Sequence, residues 1–296
     1  MSRLRRALHF VPGANEKLLR KSLGLAADTL ILDLEDAVAA EHKEAARESV
    51  TRWLREIDFG HQERMVRINP LDTEWGARDI ELTMQARPDA YLIPKVKGAE
   101  DLRTIDALIS QAEAAHGYTA GAVRLVVLAT ETAQGLLNIR EIARAPRVDG
   151  LSWGPEDLAA AIGARRNRNE QGQLLEVFRY ARVMTLLCAA EAGIQPLDTV
   201  YVGFRDPEGF RRECQEVAWM GFTGKLTIHP DQIPVVNEIF TPSAAEISES
   251  QELLAAFEES RKSGSGVFRF RGQMADTPHL ERARIILERA RQANLI

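Results

Sequence analysis

Eight short apolar runs recur along the chain, at residues 7–11, 29–32, 64–68, 90–93, 126–128, 148–153, 199–202 and 224–228. Each is cut off by a proline, a glycine or a polar residue, and most are followed by a helical pattern of apolar residues. Runs that are uniformly apolar, without alternation, read as strands covered on both faces. About eight such strands alternating with helices is the count of a (β/α)8 TIM barrel. A doubly wound sheet alternates in the same way. It normally shows a glycine-rich phosphate loop after an early strand, and none is present here. The expectation is therefore a barrel over residues 1–240, with residues 241–296 forming a small C-terminal helical extension.

The change of pattern comes after Phe240-Thr241-Pro242. Ser248 with Gln251 reads as a capping box ahead of Leu253, Leu254 and Phe257. Ser263-Gly264-Ser265-Gly266 reads as a flexible turn, and residues 267–274 as extended chain. A last helix is predicted from Thr277-Pro278, carrying Leu280, Ala283, Ile286, Leu287 and Ala290. This tail is too small to own a core, so it is expected to pack on the barrel or on a neighbouring subunit.

Composition narrows the function. A formal net charge of -5 argues against a nucleic-acid partner. The only cysteines, Cys188 and Cys214, have no CxxC neighbour, which argues against a disulfide framework or a zinc site. The basic start, through Arg6, runs into an apolar stretch that stops at Pro12-Gly13, too short for a signal segment. Nothing approaches a membrane span. A cytoplasmic protein is the expectation.

In a barrel, chemistry sits at the C-terminal ends of the strands. The polar residues there are Glu35, Asp36, Arg67, Asn69, Lys95, Glu131, Asp157 and His229. Glu131 follows a buried strand at once. Asp157 sits after Pro155, where an acid also suits the first turn of a helix. Two acids at the ends of the fifth and sixth strands are better explained as a metal pair. Magnesium is content with one or two carboxylates and keeps sites for water and substrate oxygens. Arg67 either pairs with Glu35 or Asp36 or grips a substrate carboxylate, and its planar fork favours the second. Lys95 is the rival centre, since a lysine at a strand end can form a Schiff base in a metal-free aldolase. His229 is a weak candidate. Lys17 and Lys21 share one face of the first helix and read as a solvated basic face or as a grip on ligand phosphates. Arg165, Arg166 and Arg168 lie in a polar loop and read as exposed. Asp276 reads as a helix cap.

Several stretches together resemble the citrate lyase β-subunit-like group of the HpcH/HpaI aldolase family. They are Arg6-Ala7-Leu8-His9-Phe10-Val11-Pro12-Gly13, Asp33-Leu34-Glu35-Asp36-Ala37-Val38, Val66-Arg67-Ile68-Asn69, Pro94-Lys95-Val96, Glu131-Thr132 and Gly154-Pro155-Glu156-Asp157-Leu158. Gly221-Phe222-Thr223-Gly224-Lys225 and Ile228-His229-Pro230-Asp231-Gln232 add to them. Within that group the chain looks most like stand-alone citramalyl-CoA and malyl-CoA lyases. The stretch from Phe268 to Pro278 resembles their C-terminal lid.

The resemblance implies a magnesium-dependent barrel, usually a homotrimer or dimer of trimers, in which each tail covers a neighbour's site. It implies Glu131 and Asp157 as magnesium ligands, Glu131 also touching substrate, and Arg67 as the substrate-binding and catalytic arginine. On the residues alone, Glu35 and Asp36 are expected to orient Arg67 and to hydrogen-bond waters on the metal. It places Phe10, Lys17 and Lys21 where the family holds CoA, and Asp276 on the lid acid, which replaces the plain capping role. The implied reaction is reversible Claisen-type cleavage of a 3-hydroxy-3-carboxy acyl-CoA. The rivals are a citrate lyase β-subunit acting in a complex, a malyl-CoA thioesterase, and a non-catalytic CoA-binding barrel.

Overall fold

Eight parallel strands close on themselves in chain order, as the apolar runs predict. They are β1 (Ala7–Pro12), β2 (Thr29–Asp33), β3 (Glu63–Arg67), β4 (Ala90–Ile93), β5 (Arg124–Leu128), β6 (Val148–Ser152), β7 (Gln195–Asp198) and β8 (Gly224–Thr227). This computed structural model describes residues 3–262 and 268–296. The ring is sealed by β1 lying parallel to both β2 and β8, with His9 opposite Leu30 on one side and Thr227 on the other. Between the strands run α1 (Glu16–Ser22), α2 (Lys43–Glu56), α3 (Gly76–Thr83), α4 (Ala99–His116), α5 (Ala133–Leu137), α6 (Ile139–Ala143), α7 (Pro155–Ile162), α8 (Glu176–Ala192) and α9 (Pro207–Met220). None of the described helices is long and apolar enough to cross a membrane.

The barrel interior is filled, as in other barrels of this size. Leu8, Ile31, Met65, Leu92, Val126, Leu197 and Leu226 all point into one cluster. Each buried aliphatic side chain contributes roughly 1.5–3 kcal/mol. β6 offers Gly150 at this level, because a Cβ there would press within 3.3 Å of both Val126 and Leu197. At the opposite end from the strand C-termini, Arg5 is buried and ties Glu63 of β3 to Asp149 of β6. Such a pairing at the bottom of a barrel serves stability rather than chemistry.

The seventh strand departs from expectation. It spans Gln195–Asp198, not residues 199–202. The β-branched run at 199–202 has the better strand propensity, and Pro196 speaks against a central strand. Here Pro196 still serves the sheet as an acceptor, its carbonyl taking the Thr223 amide at 2.8 Å. The polar end of the strand is what selects the register. Asp198 is fully buried against Lys225 of β8 and accepts from the Trp153 indole at 2.7 Å. Glu213 of α9 reaches Lys225 at 3.1 Å, and Arg182 of α8 lies 3.3 Å from Asp198. Burial pushes the Glu213 carboxyl up, but Lys225, Arg182 and Arg168 outweigh it and hold the pKa at about 2. Arg168, expected to be simply exposed, is thus half-buried and paired with Glu213 at 2.6 Å.

A second compact unit consists of the described residues from Glu238 onward with Arg3 and Leu4. The helix α10 (Gln232–Phe240) leads into it, followed by α11 (Ala244–Lys262), a hairpin of β9 (Phe268–Phe270) and β10 (Gln273–Ala275), and α12 (Thr277–Gln292). The hairpin turns on Arg271 and Gly272, both with positive φ (48° and 82°), as a two-residue turn requires. Contrary to the expectation of a coreless tail, Leu253, Ala275, Leu280 and Ala283 form one small cluster and Ile247, Leu287 and Ala290 another. The small Ala283 and Ala290 side chains let α11 and α12 approach closely enough to bury each other. The cap of α11 also lies earlier than expected. Ser243 and Glu246 bond reciprocally, at 2.8 and 3.2 Å, while Ser248 is already inside the helix. Both pairs have capping-box spacing, and the earlier one brings Ile247 into the core. The predicted turn at residues 263–266, and Val267 with it, lies outside the described residues.

Candidate active site

Strand ends deliver the site. β2 closes on Asp33, which is followed by Leu34, Glu35 and Asp36, and β3 closes on Arg67. Asp33 and Arg67 are register partners, so the acid and the guanidinium face each other without any search. Arg67 gives Nε and Nη2 to the two Asp33 oxygens, each at 2.7 Å. Its Nη1 lies 2.9 Å from Glu35 and 3.3 Å from Asp36. Its Cζ lies 4.8 Å from the centre of the Phe10 ring, a cation–π contact. Burial alone would lower the Arg67 pKa, but Asp33, Glu35 and Asp36 raise it, so the side chain is a permanent cation. Both sequence alternatives for Arg67 bear on what is seen. It is paired, but the fork goes to Asp33, which the sequence reading left out. The same rule that singled out Glu131, an acid ending a buried run, would have found Asp33.

β4 is followed by Pro94 and Lys95, and β5 by the loop carrying Glu131. Lys95 sits at φ 52°, a left-handed conformation uncommon for a residue with a Cβ. That turn sends its two ends in useful directions. The main-chain N–H donates to Glu131 Oε2 at 2.7 Å. The ammonium donates to Glu35 Oε1 at 2.7 Å and lies 3.4 Å from Asp157 and 3.8 Å from Asp36. Burial would lower the Lys95 pKa, but the Glu35 hydrogen bond and the charges of Glu35, Asp157 and Asp36 raise it. A lysine paired with Glu35 and flanked by Asp157 and Asp36 is favoured as the ammonium, a poor nucleophile, which argues against the Schiff-base reading.

Glu131 is 4% exposed. Its pKa is pushed well above the carboxylate range, first by burial and then by the charges of Glu35 and Asp157. Gly154, ahead of α7, makes its place possible. A Cβ there would come within 2.6 Å of Glu131 Cγ. Asp157 lies in the first turn of α7 and is partly exposed. Both acids line one cavity of about 940 Å3 together with Phe10, Asp33, Asp36, Lys21, Arg67 and Trp153. Trp153 and His9 belong to its wall and were not singled out in the sequence. Each reads from sequence as an ordinary strand residue, and only the closed barrel shows that it reaches the cavity.

Among the described residues, no three His, Cys, Asp or Glu side chains are placed to hold a metal together. Glu131 and Asp157 line the same cavity, and a magnesium ion can be held by as few as one or two carboxylates with water. The charge balance fits such an ion. Five contiguous carboxylates, those of Asp33, Glu35, Asp36, Glu131 and Asp157, surround only three cations, Arg67, Lys95 and Lys43. With all five ionised, two negative charges remain, the amount one divalent cation cancels. The buried Glu35 Oε2 has no hydrogen bond, only the ion pair with Arg67.

The remaining candidates scatter. Lys21 lines the cavity, whereas Lys17 is exposed on α1 and outside that lining. Asn69 is structural, donating to Leu34 O and accepting nothing from the cavity, with Asp79 as its second partner. His229 lies at the rim, stacked on Phe204. Asp276 belongs to the second unit, where it starts α12 and sits 2.6 Å from His279 Nδ1.

Residues 6–230 match the family described as HpcH/HpaI aldolase/citrate lyase. A (3S)-malyl-CoA thioesterase of Cereibacter sphaeroides is 40% identical over 285 residues, 96% of this chain and 94% of that protein. The mitochondrial citramalyl-CoA lyase of Mus musculus is 39% identical over 294 residues, 96% of this chain and 85% of that protein. Among solved structures, the protein CitE of Mycobacterium tuberculosis in complex with magnesium, acetoacetate and coenzyme A superposes with a TM-score of 0.78 at 33% identity. That match covers 97% of this chain and 98% of CitE. With its closed barrel, its acid-rich mouth and this match over most of its length, the chain belongs to the HpcH/HpaI aldolase/citrate lyase family.

Proposed function

We propose that the protein is a magnesium-dependent carbon–carbon lyase. Its substrate is a 3-hydroxy-3-carboxy acyl-CoA such as citramalyl-CoA or malyl-CoA, cleaved reversibly to acetyl-CoA and pyruvate or glyoxylate. The observation that carries this reading is the placement of the buried Glu131 with Asp157 in the wall of one cavity that Arg67 also lines. The magnesium, acetoacetate and CoA bound together by CitE support the same choice of ion and ligand class.

Glu131 and Asp157 would hold the magnesium, and the bound ion supplies a Lewis acid at the oxygen that becomes the keto group. Arg67, fixed by Asp33, turns Nη1 toward Glu35 and Asp36 and adds positive charge where negative charge develops. The hydroxyl proton passes to Asp36, the acid of this group most exposed to the cavity. The bond between the carbinol carbon and the thioester α-carbon then breaks, leaving the acetyl-CoA enolate. Asp276, from the tail of a neighbouring subunit in a homotrimer or dimer of trimers, acts in its acid form, gives its proton to the thioester α-carbon and closes the site to water. After product release, solvent takes the proton from Asp36 and restores the one on Asp276. Phe10 and Lys21, in the cavity wall, would meet the CoA moiety, and Lys17, exposed outside that wall on the same helix, would join Lys21 in pairing with its phosphates.

The 40% identity to a malyl-CoA thioesterase favours one second reading, in which water takes the thioester. The fate of the thioester separates the two. Purified protein is incubated with citramalyl-CoA and with malyl-CoA, with and without magnesium, and the products are resolved chromatographically. Acetyl-CoA formed in step with keto acid, and only with magnesium, is the expected result. Free CoA without acetyl-CoA replaces the lyase by the thioesterase.

A further inference from the structure

Lys95 is the one side chain of the mouth whose two ends serve both halves of the acid cluster. Its main-chain N–H holds Glu131, and its ammonium holds Glu35 while lying 3.4 Å from Asp157. The left-handed backbone at φ 52° is kept although an L residue is disfavoured there. Local strain of this kind persists where the surrounding contacts over-determine it, and it gathers at functional sites. Arg67 shares Glu35 with the lysine through Nη1, while its Nε and Nη2 are engaged by Asp33.

We propose that Lys95 is the positioning residue that sets how tightly this site takes a divalent cation. This rests on the reading that Glu131 and Asp157 are the metal acids. The ammonium neutralises one of the three charges that Arg67 and Lys43 leave over, so the cluster is left matched to a single divalent ion. It also stands beside Asp157 and opposes any second positive charge there. The side chain thus trades affinity for a fixed geometry. Glu35 stays tied, Glu35 steadies Arg67, and the metal acids keep their place between turnovers. The main-chain half of the arrangement is independent of the side chain, since any residue but proline supplies the N–H to Glu131.

The separation makes a clean test. Manganese(II) binding to the full-length wild-type protein and to Lys95→Met and Lys95→Arg is measured by the electron spin resonance signal of the free ion, with circular dichroism verifying the fold. Lys95→Met removes the charge and retains the N–H. It is expected to bind manganese about tenfold more tightly than wild type while its kcat falls, and Lys95→Arg is expected to bind like wild type. A merely structural lysine would lose affinity and activity together. Unchanged or weakened binding in a folded Lys95→Met overturns the proposal and leaves the metal acids in place. Failure of the wild type and the Met variant alike to bind manganese overturns the metal reading itself, and this proposal with it.

Discussion

His9 shows how much one position in a barrel strand can hold. It sits in β1 opposite Thr227 of β8, with Nδ1 3.1 Å from the threonine hydroxyl, and it lines the cavity. Burial, partly offset by Thr227 and reinforced by His229, lowers its pKa to about 4 from an ordinary 6.5. The folded protein therefore keeps His9 neutral where the unfolded chain takes up a proton. Stability from this residue is full above pH 6.5 and is lost as pH falls toward 4. Acidifying from pH 7 to 5 should cost about 2 kcal/mol through this group alone. Urea unfolding of wild type and His9→Gln at the two pH values checks it. The variant is expected to lose most of that difference, and an equal loss in both proteins would exclude His9 as its source. Nothing in the sequence distinguishes His9 from a core histidine. By contrast Glu131, Asp157, Arg67, Glu35 and Asp36 were legible because strand ends are where a barrel exposes side chains. Asp33, directly after the apolar run at 29–32, was equally placed, and the structure makes it the last residue of β2.

Seven of the eight strands lie where their apolar runs predict, because their residues are covered on both faces and carry no competing signal. The exception, β7, shows what pattern alone misses. Its register is chosen by a buried ionic network, and a network has no period in the sequence. Asp198, Lys225, Glu213 and Arg182 come from four different elements and are 7% exposed or less. Removing Lys225 would leave Asp198 and Glu213 buried with Arg182 as their nearest remaining buried cation. Lys225→Met is therefore expected to destabilise the protein by roughly 3–5 kcal/mol, read as a fall in the urea midpoint. The double change Lys225→Met with Asp198→Leu should recover part of the loss, and a single variant as stable as wild type would show the network to be dispensable. The same limit explains the cap of α11. Two candidate pairs share one spacing, and burial of Ile247, invisible in a four-residue motif, decides between them.

At the scale of the molecule, the closed ring converts distance in sequence into proximity. Residues 33, 67, 95, 131 and 157 lie at or just after the ends of five successive strands, the last of them in the first turn of α7, and meet only because β2 to β6 lie side by side. That closure, the two acids and the arginine were all legible from strand count and strand ends. What was not legible is the make-up of the cluster, in which five carboxylates gather around Arg67, Lys95 and Lys43. The role proposed for Asp276 belongs to this scale as well, since it requires a second copy of the chain.

The central claim is that Glu131 and Asp157 hold the divalent ion on which cleavage depends. The most direct measurement is the magnesium dependence of acetyl-CoA formation by wild type and by Glu131→Ala, with fold verified by circular dichroism. Wild type should turn over only with magnesium. A folded Glu131→Ala should show no magnesium-dependent turnover, a fall of at least about 100-fold given the transition-state stabilisation that is lost. Full magnesium-dependent activity in that variant would contradict the claim.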